Sequence, residues 1–182
     1  MTLHLDLDGI QTQLRITGYH PSSQEDWTGE WCKTDFSFRS DPWLDYHREG
    51  DEVFLCQEVE ELFDQLGRLL TDQLSEETEL TLMEPDFTFR LHPKRDLRQD
   101  PRITYIAPTA DPIADIRADW VVSFWHDGLT ANYLSVALGR EEIRHLHHYL
   151  GLVLGRLSED SPECAAMIGE GVLCGEGFSE SH

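Results

Sequence analysis

Three side chains have a spacing that suits a metal. Glu141, His145 and His148 fall at i, i+4 and i+7, so a helix places them on one face. Zinc chemistry wants three or four such ligands converging. The segment is not HExxH, and no fourth ligand is indicated. His147 lies on the apolar stripe of the same helix, where a hydrogen-bonded core histidine is the simpler reading. A second pair of groups, Glu84 and Asp86, flanks Pro85. Two carboxylates can act as acid and base across a cleft only when one has a raised pKa. Nothing marks these two among the 35 acidic residues of the chain, and a polar turn explains them. Nucleophile signatures are missing: there is no GxSxG, no phosphate-binding glycine loop and no GxGxxG. Cys32, Cys56, Cys164 and Cys174 form no CxxC pair, and their spacing matches no zinc template. Free thiols are expected.

With no catalytic constellation in view, charge becomes the main signal. The 182 residues carry 35 Asp and Glu against 14 Lys and Arg, a formal charge of -21. Phosphate-backbone binding needs a positive surface to release counterions, so nucleic acid is an unfavourable partner. Anionic lipid is disfavoured in the same way, and basic proteins are attracted. The bland alternative is that acidity serves solubility alone. No apolar run approaches the ~18 residues of a membrane span, and the N-terminus lacks the features of a secretory signal. A cytoplasmic protein is expected.

The elements that position these groups read as α+β. Leu3, Leu5 and Leu7 alternate with His4, Asp6 and Asp8, and Asp8-Gly9 supplies a hairpin turn into a second strand ending near residue 19. A loop follows over 20–27. Alternation resumes from Trp31 through Phe36 and Phe38 and stops at Ser40-Asp41-Pro42. Residues 41–51 read as polar and turn-like, and 52–56 as a short strand. Val59, Leu62, Phe63, Leu66, Leu69 and Leu70 then form one apolar stripe, predicting a helix over 58–74. Gly67 inside it costs about 1 kcal/mol relative to Ala, which points to a close approach by a strand. Strands are expected over 79–83 and 87–91, broken at Pro85, and over 120–125 and 130–138, with a turn at Asp127-Gly128. Between them lies a long loop, 92–117, whose first part holds Lys94, Arg95, Arg98 and Arg102. A second amphipathic helix is predicted from Gly139 to about Leu157. The expected architecture is an antiparallel sheet with two amphipathic helices packed on one face. Residues 1–157 form the single domain, and 158–182 an acidic tail that packs locally through Met167, Ile168, Val172, Leu173 and Phe178.

Trp27 stands at a loop-to-strand junction beside Glu25 and Asp26. An aromatic anchor among carboxylates has the composition of a hot spot for a basic protein. Ordinary packing at a strand start is the alternative.

Several segments, in order, carry a family resemblance. They are Asp26-Trp27 and Trp31 before Phe36 and Phe38, the Leu-rich helix from Val59 to Leu70, Leu80-Thr-Leu-Met-Glu-Pro-Asp-Phe-Thr-Phe, and Leu134-Ser-Val-Ala-Leu138. In that order they resemble the WapI-type immunity proteins, small bacterial proteins found beside contact-dependent polymorphic toxins. The resemblance covers about residues 14–157. It implies a stoichiometric inhibitor without catalysis or cofactor, bound to a cognate protein toxin of basic character. Glu25, Asp26, Trp27, Glu84 and Asp86 are the expected contacts. A binding module for a small molecule or peptide, and a metal enzyme built on Glu141, His145 and His148, remain the alternatives.

Overall fold

The computed structural model describes residues 1–20, 30–124 and 132–175. The expected hairpin at the start is present: β1 (Thr2–Leu7) and β2 (Ile10–Thr17) pair antiparallel across the Asp8-Gly9 turn, with Leu3 opposite Leu14 and Leu7 opposite Ile10. Asp8 and Gly9 both take positive φ, which this turn needs. β3 (Trp31–Ser40) and β4 (Leu44–Leu55) complete the sheet on one side, and β11 (Leu173–Cys174) on the other, in the order β11-β1-β2-β3-β4.

β4 is where sequence and structure part. Residues 41–51 read as turn, yet a strand runs from Leu44. It lies at the edge of its sheet, and Asp45, His47 and Glu49 are solvent-exposed. An edge strand with polar outward residues lacks the apolar run that marks a buried one. The β3–β4 register also slips twice, between Cys32 and Phe36. Gly50, at φ +66°, donates its N–H at 2.7 Å to Asp35, whose carboxylate also holds Arg15. That clasp explains why an acidic residue only 8% exposed is tolerated on β3.

A second sheet has the order β10-β9-β6-β5, built from β5 (Thr78–Thr81), β6 (Phe87–His92), β9 (Arg117–Ser123) and β10 (Tyr133–Leu138). The antiparallel α+β class stands, with the strands divided between two sheets. The expected Asp127-Gly128 turn lies outside the described residues, as does Trp125. Aromatic rings join the sheets. Trp120 of β9 sits 5.2 Å from Phe38 of β3 and 5.1 Å from Phe87 of β6, and Phe36 sits 4.8 Å from Phe87. All four are fully buried. Within the long 92–117 segment, β7 (Arg95–Asp96) and β8 (Ile113–Ala114) form a two-stranded ribbon.

α1 (Cys56–Leu70) and α2 (Arg140–Val153) pack on each other and touch strands of both sheets. Gly67 answers to a helix, not a strand. A Cβ there would come 3.0 Å from Nε2 of His147 on α2. The His147 ring stacks on Phe63 at 4.2 Å, and burial holds its pKa down at about 4. A histidine whose native pKa lies below its unfolded value of about 6.5 favours the fold fully above that value. Its contribution falls as pH drops toward 4, because only the unfolded chain takes the proton. His147→Gln is therefore expected to lose less stability than wild type between pH 7.5 and 4.5, measured by urea midpoints. Parallel profiles would contradict this.

Tyr149 of α2 completes the junction. In β2, past the start of β1, the N–H of Ile16 donates at 2.7 Å to the buried Tyr149 hydroxyl. Tyr149→Phe leaves that donor unsatisfied, so a loss of about 1–3 kcal/mol is expected in chemical denaturation. A loss under ~0.3 kcal/mol would show that the bond is dispensable.

The segment expected as an acidic tail contributes α3 (Pro162–Gly169) and β11. Ser161 caps α3, its hydroxyl accepting from the Cys164 N–H. Met167 and Leu173 are buried, Val172 packs on the core and Ile168 is half-exposed. Phe178 lies outside the described residues.

Candidate protein-docking site

α1 begins directly at the end of β4, and its first turns gather three distant pieces of chain. Glu58 is the clamp. One carboxylate oxygen accepts the Leu55 N–H at 2.8 Å, capping the helix, and the other accepts the Met83 N–H at 2.6 Å. The Met83–Asp86 turn between β5 and β6 is thereby fastened to the helix start. Cys56 donates its N–H to the Glu30 carbonyl at 2.9 Å, and the Tyr19 hydroxyl donates to Glu60 at 2.6 Å. Both described flanks of the 20–30 loop thus rest on the first two turns of α1.

Glu84 and Asp86, expected as contacts, belong to this gathered end. Glu84 is exposed; the Asp86 carbonyl accepts the Ser123 N–H at 2.8 Å. Glu25, Asp26 and Trp27 lie outside the described residues, but the flanks of their loop reach the same place. Sequence reasoning missed Met83, which is 67% exposed beside Glu84, and it missed Glu58. Both depend on a contact across 25 residues that no local pattern signals.

The electrostatics of this end are one-sided. Residues 48–61 and 82–86 hold eight carboxylates, Glu49, Asp51, Glu52, Glu58, Glu60, Glu61, Glu84 and Asp86, against the single cation Arg48. Glu52 is bridged by Lys33 at 2.6 Å, and Arg48 lies 3.7 Å from Asp51. The Arg48 guanidinium is raised above its usual pKa first by its bond to the Tyr46 hydroxyl, then by Asp51 and Asp86.

The stretch 90–119 contrasts with it. There six Lys and Arg face five Asp. Arg98 pairs with Asp96 at 2.6 Å, Arg102 with Asp100 at 2.9 Å, and Arg140 of α2 with Asp115 at 2.6 Å. Bonds from Arg102 and Arg140 hold Asp100 and Asp115 down to about 2. The basic loop is a set of neutralised pairs around a polar cavity of about 350 Å³. Phosphate-binding surfaces present uncommitted cations, and Arg95, Arg98 and Arg102 are committed to Asp100, Asp96 and Asp100.

Of the candidate metal face, two members stay together. His145 points its Nε2 at Glu141 (3.5 Å) and at Glu170 (3.3 Å). Burial lowers the pKa of His148. Among the described residues, no three His, Cys, Asp or Glu side chains are grouped as a metal site requires. Among them, too, no helix is long and apolar enough to cross a membrane.

A family model described as the immunity protein WapI-like family matches residues 3–154, from β1 through α2. No curated protein and no solved structure matches the chain.

Proposed function

This chain belongs to the immunity protein WapI-like family, and we propose that it neutralises a cognate protein toxin by binding it, without catalysis and without a cofactor. The observation that carries the mechanism is the convergence at α1. The described flanks of the 20–30 loop, at Tyr19 and Glu30, and the turn that carries Glu84 and Asp86 attach to one helix end that is itself acidic. The reading is a cytoplasmic inhibitor whose acidic end meets a basic face of the toxin. Opposite potentials steer the encounter, and desolvated apolar groups hold the complex. Trp27 is the proposed anchor, with Glu25, Asp26, Glu84 and Asp86 as its charged frame.

Co-expression with the C-terminal toxin domain of the adjacent reading frame tests this. Restored growth and a one-to-one complex on size exclusion are expected. Continued toxicity, with both proteins present in the lysate, would overturn the proposal.

A further inference from the structure

Directly beneath the docking end lie two thiols that the function does not use. Cys32 of β3 and Cys56, the first residue of α1, are 0% and 1% exposed. Their sulfurs are 3.6 Å apart. The backbone around them is fastened on several sides: Trp31 pairs with Leu55, Cys32 with Phe54, and the Cys56 N–H with the Glu30 carbonyl. Cys164 and Cys174 belong to α3 and β11.

We propose that Cys32 and Cys56 are a redox modification site, closing to an intramolecular disulfide when the protein meets a low-molecular-mass disulfide. A disulfide needs the sulfurs at about 2.05 Å, so a shift of roughly 1.5 Å closes the pair. In the first step one cysteine thiolate attacks a sulfur of the small disulfide. A mixed disulfide forms, and one small thiolate leaves. In the second step the other cysteine attacks the protein-side sulfur, the Cys32–Cys56 bond forms, and the second small thiolate leaves. Two protein thiols lose two electrons and two protons. The small disulfide gains both electrons and ends as two thiols.

Burial makes the first step slow. It raises the Cys32 thiol above the ordinary range, and the thiolate is the nucleophile. Closure therefore runs through transient opening of this end and is faster in sub-denaturing urea. The bond would join positions 32 and 56 and restrict the unfolded chain between them.

The test uses the full chain and glutathione disulfide at mildly alkaline pH, followed by thiol counting in denaturant and peptide mapping. The count is expected to fall from the four cysteines of the sequence to two. The Cys32 and Cys56 peptides become linked, and the thermal midpoint rises by roughly 5–15 °C. Reductant restores the starting state. The double variant Cys164→Ala, Cys174→Ala must still lose both remaining thiols. An undiminished count even in sub-denaturing urea, a linkage through Cys164 or Cys174, or a stable glutathione adduct on Cys32 or Cys56 would each overturn the proposal.

Discussion

Replacing Trp120 with alanine is expected to cost about 4 kcal/mol of unfolding free energy, a fall in the thermal midpoint of roughly 8–16 °C for a chain of this size. Trp120 is completely buried at the meeting of the two sheets. Its ring lies 5.2 Å from Phe38, 5.1 Å from Phe87 and 5.4 Å from Phe89. Phe38 belongs to the first sheet and the other two to the second, so the indole bridges them, beside the Phe36–Phe87 contact. Truncation removes both burial and the edge-to-face contacts, and rigid strands on either side collapse only partly into the gap. The indole N–H has no hydrogen-bond partner among the described residues. Trp120→Phe should therefore be much milder, about 1–2 kcal/mol, since the lost volume is partly offset by removal of an unsatisfied donor. Equal losses for Ala and Phe would show that the bridge is not the source of the stability.

The second large effect concerns binding. The pair Glu61→Lys and Glu84→Lys reverses two exposed charges at the docking end, neither with a bridging partner among the described residues. Association with the toxin domain is expected to slow by about 10- to 100-fold at low salt, and by less at high salt as screening shortens the field. The pair Glu76→Lys and Glu159→Lys changes net charge equally at exposed positions outside this end. It should leave the rate within about threefold, because steering depends on where charge sits as well as on its sum. Folding stability should change by no more than ~0.5 kcal/mol in either pair. Similar slowing in both would mean that acidity acts through total charge alone, and the α1 end would lose its special place.

Local periodicity made most of the fold legible. The Leu3-Leu5-Leu7 alternation and the stripe from Val59 to Leu70 each state their own geometry. β4 was hidden because an edge strand does not need apolar residues on both faces, and because its bulge at Gly50 breaks the alternation. The division into two sheets was hidden for a different reason. The two sheets meet through rings, as Phe36 meets Phe87, and such partners lie 51 positions apart. α3 and β11 are short, and their packing rests on Met167 and Leu173 inserting into a core built elsewhere. At the docking end, the carboxylates of Glu84 and Asp86 could be read as candidates from composition. Their attachment to α1 through Glu58 could not, since it is a single hydrogen bond from a backbone N–H. Met83 carries no signal in sequence, because an isolated methionine before a turn means little until its exposure is known.

The most direct measurement is a titration of the purified toxin domain's activity with the purified protein. The account predicts a linear fall that reaches zero at one equivalent, with no turnover of the toxin into fragments or modified forms. Full toxin activity in the presence of a large molar excess would contradict it.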